Sequence, residues 1–264
     1  MSRINVVLAR LRRKNQKALI AYLTVGFPSL HALPGLVETL AGEGVDLMEL
    51  GIPFSDPLAD GPTIQAASQA ALRHGVTTYQ VLREVERLRR RGIEVPIVLM
   101  TYANPVFHYG IKNFCRDSVS SGVDGVIVPD LPPEEANDLI QAARPLGMDT
   151  IFLAAPTSPA SRLERIVRSS TGFIYYVSLT GVTGARTYLA SDLKGHVAAI
   201  KRMTNVPVCV GFGISRPDQV REVARVADGV IVGSALLDRI GRAGKDARYA
   251  AGTFIRRLKG ACHG

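Results

Sequence analysis

Eight short, almost wholly apolar runs recur along the chain with helix-like stretches between them, and this alternation constrains the fold more than any other feature. The runs are Ile20–Gly26, Leu47–Ile52, Pro96–Tyr102, Gly125–Asp130, Asp149–Ala155, Phe173–Leu179, Pro207–Gly213 and Gly229–Ser234. Their apolarity is continuous rather than alternating, the mark of strands covered on both faces. Helical patterns are predicted over Leu33–Gly42, Tyr79–Arg91, Pro133–Leu146 and Pro217–Val226, the last capped by Ser215. Ser2–Arg13 reads as an extra helix ahead of the first strand. Eight β units, each followed by a helix, predict an α/β fold: a closed (β/α)8 TIM barrel forming a single domain over residues 1–264. An open doubly wound sheet would carry a glycine-rich fingerprint after the first strand, and none is there.

Composition removes whole classes of function. At 47% hydrophobic and 21% charged, the chain is neither disordered nor a disulfide scaffold. No apolar run approaches the roughly 18 residues of a membrane helix, so no membrane role is expected. The N-terminal charges follow a very short apolar stretch, the reverse of a secretory leader, which points to the cytoplasm. Cys115, Cys209 and Cys262 are far apart, and the five histidines show no ligand spacing, so no metal site is expected. The net charge of +9 raises the question of nucleic acid. The basic clusters Arg10–Lys14, Arg87–Arg91 and Arg256–Lys259 fall in helix-like segments without interleaved aromatics. They read as solvated helix faces, and no nucleic-acid partner is expected.

Barrel chemistry sits at the C-terminal ends of the strands. Glu49 lies inside the second apolar run, where a carboxylate is costly unless paired, solvated or functional. The loop that follows, Pro53–Pro62, is stiffened by three prolines and carries Asp56 and Asp60. Glu49 and Asp60 can therefore converge on one ligand, two carboxylates sharing acid and base roles. A buried salt bridge at Glu49 and turn chemistry at Asp56 and Asp60 are the structural alternatives. Gly184, Gly213 and Gly233 with Ser234 end three neighbouring units, where backbone N–H groups and a helix start can cradle a phosphate. No lysine or histidine falls at a strand end, which disfavours Schiff-base and zinc aldolases. Acid–base chemistry on a phosphorylated organic substrate is the reading that remains. Tyr22, Tyr102, Tyr175, Tyr176 and Phe212 are the aromatics near the mouth, able either to wall a flat group or to pack the core.

These motifs carry a resemblance. Leu47-Met-Glu-Leu-Gly-Ile-Pro-Phe-Ser-Asp-Pro-Leu-Ala-Asp-Gly-Pro-Thr-Ile-Gln65 closely resembles the signature of the tryptophan synthase α chain family. Met100–Phe107, Val128–Pro132, Ala154–Thr157, Thr180–Gly184 and Gly211–Ser215 continue it in order along essentially the whole chain. The resemblance implies cleavage of indole-3-glycerol phosphate to indole and glyceraldehyde 3-phosphate, with no cofactor in this chain. It implies a β chain partner that holds PLP and joins indole to serine, in an α2β2 heterotetramer. Glu49 and Asp60 match the family's catalytic pair. Gly184, Gly213, Gly233 and Ser234 match its phosphate site, and Asp56 matches the mobile loop that meets the β chain. Tyr22, Tyr102, Tyr175 and Thr183 are expected against the indole and glycerol. Departures at Tyr22, Leu179 and Tyr188 bear on loop closure rather than on the reaction. A free-standing lyase releasing indole, or a non-catalytic phosphate-binding regulatory subunit, are the competing readings.

Overall fold

The computed structural model describes residues 2–177, 188–211 and 213–262, with side chains of the helix begun at Tyr188 described from Leu193 onward. Nine strands pair throughout in parallel: β1 (Ala18–Thr24), β2 (Leu47–Gly51), β3 (Ile97–Met100), β4 (Gly125–Ile127), β5 (Asp149–Ile151), β6 (Leu153–Ala154), β7 (Ile174–Val177), β8 (Val208–Gly211) and β9 (Gly229–Val232). Their order is β5-β4-β3-β2-β1-β9-β8-β7-β6. β5 and β6 are two halves of one pass, parted at Phe152. The Phe152 carbonyl still accepts the Tyr175 N–H at 3.1 Å, so the pass stays bonded to its neighbour. The sheet therefore closes into a barrel of eight passes, as the eight runs predict.

Burial explains the unbroken apolarity. Every residue of β1 and β2 is buried, because one face packs inside the barrel and the other against the helices. Ala18, Ile20, Leu47, Val98, Ile127, Ile151, Tyr175, Cys209 and Ile231 point inward and meet as one cluster. Ile4, Leu8 and Leu11 of the N-terminal helix (Arg3–Arg13) belong to the same cluster. Spaced by four and three, they form one stripe, and that stripe plugs the N-terminal end of the barrel. Ser2 caps this helix by accepting the Asn5 N–H and donates its hydroxyl to Asp149, while Arg3 reaches Asp124 at 3.0 Å.

Three aspartates staple the strand starts. Asp46, Asp124 and Asp228 each stand one residue ahead of β2, β4 or β9. They accept the backbone N–H of Leu19, Ile97 and Val208 on the neighbouring strands at 2.8, 2.8 and 2.9 Å. Each also pairs with a cation: Lys259, Arg89 and Lys201 respectively. All three lie at the closed end of the barrel and leave the other end free for chemistry.

Two helix boundaries need correction. The stretch predicted from Pro133 becomes helical only at Asn137, because the N–H groups of Leu131 and Glu135 close turns on Val128 and Pro132 first. Ser215 does not cap the Pro217–Ala224 helix. Gln219 reaches back instead, accepting the N–H groups of Ser215 and Arg216 at 2.9 and 3.1 Å. No helix among the described residues is long and apolar enough to cross a membrane.

Candidate active site

At the C-terminal ends of the strands lies a cavity of ≈ 210 Å³ lined by Tyr22, Glu49, Asp60, Ile64, Met100, Tyr175, Gly213, Ile214, Ser215, Ile231, Gly233, Ser234 and Ala235. The strand register builds its floor. Glu49 stands between Tyr22 on β1 and Val98 on β3, all on the inward face. The glutamate is 1% exposed and its Oε2 has no hydrogen-bond partner among the described residues. Among the described residues no cation pairs with it, which counts against the salt-bridge alternative for Glu49. Burial, and then the negative charge of Asp60, push its carboxyl up to about 8.

Asp60 comes from the loop, as the prolines and the Pro62–Arg73 helix behind them dictate. Its N–H closes a turn on Pro57 at 3.0 Å, and its carbonyl accepts from Gln65 Nε2 at 2.8 Å. Burial raises its carboxyl to about 6, and the Tyr102 hydroxyl, which donates to it, opposes that rise. At neutral pH the site therefore holds a largely protonated Glu49 beside a largely ionised Asp60. Two carboxyl groups in one cavity with separated titrations are the pattern of divided acid and base work.

The structure sorts the other predicted residues. Tyr22 and Tyr175 line the cavity. Each depends on an inward glycine: a Cβ at Gly51 would lie 2.1 Å from the Tyr22 hydroxyl, and one at Gly211 would lie 2.6 Å from that of Tyr175. Tyr102 stands beside the cavity rather than in its lining. Its hydroxyl accepts the Ala59 N–H at 3.1 Å and its ring stacks on Phe54, so it holds the Asp60 loop. Tyr176 faces away from the mouth, correcting the expectation: it is buried in the outer layer and stacks with His196. Its neighbour Tyr175 points inward, and a strand cannot send adjacent side chains to the same face. Gly213, Gly233 and Ser234 line the same cavity, and Ser234 opens the Ser234–Ala243 helix, whose N-terminal end suits an anion. Asp56 is exposed on the loop beside Leu58, which is 89% exposed. Gly184, Thr183 and Phe212 lie outside the described residues, as does the side chain of Tyr188.

Sequence reasoning missed Ile64, Met100 and Ile231, which supply apolar wall. Met100 and Ile231 share the inward parity of Val98 and Gly229, a signal readable once the inner face is known. Ile64 stands four residues after Asp60, in the first turn of the Pro62–Arg73 helix.

The family model for the tryptophan synthase alpha chain matches residues 8–261. The chain belongs to the tryptophan synthase alpha chain family. A tryptophan synthase alpha chain from Chloroflexus aurantiacus is 49% identical over 259 residues, covering 98% of this chain and 97% of the relative. One from Geobacter sulfurreducens is 50% identical over 237 residues, covering 90% and 89%. Among solved structures, tryptophan synthase subunit alpha from Legionella pneumophila superposes with a TM-score of 0.93 at 38% identity, covering 100% of this chain and 99% of that one. Tryptophan synthase from M. tuberculosis in an aminoacrylate-bound form matches with a TM-score of 0.89 at 36% identity, covering 99% and 100%. As a tryptophan synthase alpha chain, the protein is a carbon–carbon lyase acting on indole-3-glycerol phosphate.

Proposed function

We propose that Glu49 is the proton carrier of this cleavage and that Asp60 is the anion beside the indole N–H. The observation that carries the reading is that Glu49, 1% exposed and with Oε2 unpartnered among the described residues, lines one small cavity together with Asp60; burial raises both carboxyl groups, Glu49 the further. Protonated Glu49 delivers its proton to C3 of the indole, giving an indolenine. As a carboxylate it then removes the proton of the glycerol hydroxyl next to the ring. The carbon–carbon bond breaks, the bonding pair returns to the ring, and the hydroxyl oxygen becomes the aldehyde of glyceraldehyde 3-phosphate. Asp60 accepts the indole N–H and stabilises the positive charge the ring acquires. The wall formed by Gly213, Gly233 and Ser234 holds the phosphate and so fixes the chain against Glu49, and the family resemblance gives Gly184 the same role. Tyr22, Tyr175 and Thr183 contact the indole and glycerol.

The whole chain, residues 1–264, acts as one catalytic domain of the cytoplasm and uses no cofactor of its own. Its partner is a tryptophan synthase β chain, which holds PLP, in an α2β2 assembly. Support comes from the likeness to the M. tuberculosis tryptophan synthase. The exposed Asp56 and Leu58 put the Asp60 loop within reach of a docked chain, so partner binding and site closure share one element. The test is indole formation from indole-3-glycerol phosphate by the purified chain, alone and with a β chain, beside Glu49→Gln. Cleavage that rises with the partner and vanishes in the variant is expected. Retained turnover in Glu49→Gln would remove the glutamate from its role.

A further inference from the structure

Tyr22 lies opposite Glu49 in register, is 4% exposed and lines the cavity. Its Cβ sits at the phosphate wall, 3.3 Å from where a Cβ on Gly233 would stand. Its hydroxyl lies at the other end, over Gly51 at the mouth of β2. The ring thus runs from the phosphate wall toward the carboxylates, the course a phosphate-anchored three-carbon chain takes to reach Glu49. Thr24 Oγ1 donates to the phenol oxygen at 3.3 Å, so the phenol's own proton has no acceptor among the described residues. Burial, with Asp60 and Glu49 nearby, keeps that proton in place far above neutral pH. A buried phenol O–H that lines the cavity with no protein acceptor among the described residues is a donor that a ligand oxygen can take up.

We propose that Tyr22 is a specificity-determining hydrogen-bond donor whose O–H is accepted by the substrate hydroxyl oxygen next to the indole ring. The inference rests on the reading that Glu49 deprotonates that hydroxyl. Tyr22 transfers no proton. As Glu49 takes the hydroxyl proton, negative charge grows on the oxygen, and the phenol, already oriented by Thr24, stabilises it until the carbonyl has formed. A chain with hydrogen in place of the hydroxyl leaves the phenol unpaired, so the site selects the hydroxylated substrate.

Tyr22→Phe tests this, read beside wild type and Glu49→Gln with indole-3-glycerol phosphate and with 3-(indol-3-yl)propyl phosphate, which lacks both glycerol hydroxyls. The expected result is a kcat lower by about 10²-fold, the effect of losing one donor to a developing oxyanion, with the dissociation constant of the propyl phosphate unchanged. Thr24→Val, which frees the phenol to rotate, lowers kcat by less and leaves the same dissociation constant intact. A wild-type kcat in Tyr22→Phe overturns the proposal. So does a loss of propyl phosphate affinity in step with kcat, which would make Tyr22 a packing residue. Turnover by Glu49→Gln would sink the reading of the glutamate itself, whatever Tyr22→Phe does.

Discussion

Glu49→Gln should change how stability depends on pH, because the native fold holds this carboxyl far from its ordinary value. In the unfolded chain Glu49 titrates near 4.5; in the cavity it is pushed up to about 8 by burial and by Asp60. A carboxyl raised on folding binds its proton more tightly in the native state. Its stabilising contribution is complete below pH 4.5 and is lost as pH rises through the window from 4.5 to about 8. Integrated from about pH 5 to about pH 9, the loss is on the order of 4 kcal/mol, about 1.4 kcal/mol per unit. Glutamine has nothing to titrate and should not show it. Burying its amide without a partner costs about 1–3 kcal/mol at every pH, so the comparison is between slopes, not single values. Asp60, raised to about 6, loses stability over its own lower window in both proteins and cancels in the difference. Urea unfolding at a series of pH values measures the two curves, provided the m-values agree. Parallel curves for wild type and Glu49→Gln would refute the claim that Glu49 is buried unpaired with a raised titration.

Tyr102→Phe removes the donor that restrains the Asp60 carboxyl, so the acidic limb of kcat/KM should move to higher pH. Activity near pH 6 should drop roughly 5-fold more than activity near pH 8, what a rise of about one unit from about 6 produces; an unmoved limb would detach Tyr102 from Asp60. Asp124→Ala leaves Arg89, whose side chain is 14% exposed, without its carboxylate and strips the Ile97 N–H of its acceptor. Chemical denaturation should show a loss of about 3–5 kcal/mol, with kcat unchanged because the staple sits at the closed end. Gly51→Ala drives a methyl group into the Tyr22 hydroxyl and should lower kcat/KM by roughly 10-fold or more while the protein still folds. Wild-type kinetics there would mean that the ring has room to move.

The carboxylates and the tyrosines show how differently two parts of one site can be read from sequence. Glu49 stands out in a linear sequence because its neighbours are Met48 and Leu50, and an ionisable group in an apolar strand must answer for its desolvation. The adjacent Tyr175 and Tyr176 do not stand out from each other. Strand geometry says they face opposite ways, but only the barrel says which way is in. Ser215 looks like a cap by residue type, yet Gln219 does the work, because a longer side chain on the first helical turn can reach two N–H groups at once. Tyr102 reads as a cavity wall from its place at a strand end, and becomes a loop clamp only when Ala59 and Asp60 fold over it.

From sequence alone come the parallel barrel, its N-terminal helix, the family and the two carboxylates, because each rests on local periodicity or on an unbroken motif. The aspartate staples were also written there: Val45-Asp46, Val123-Asp124 and Ala227-Asp228 repeat one pattern. Their acceptor role appears only when each meets a strand 27, 27 or 20 residues earlier. Tertiary structure alone decided that Glu49 is buried with its Oε2 unpartnered among the described residues, that Asp60 titrates below it, and that Gly51 makes room for the Tyr22 phenol. These depend on desolvation and on contacts between strands far apart in the chain. Burial and approach distances of that kind are properties of the closed barrel and of no single segment within it.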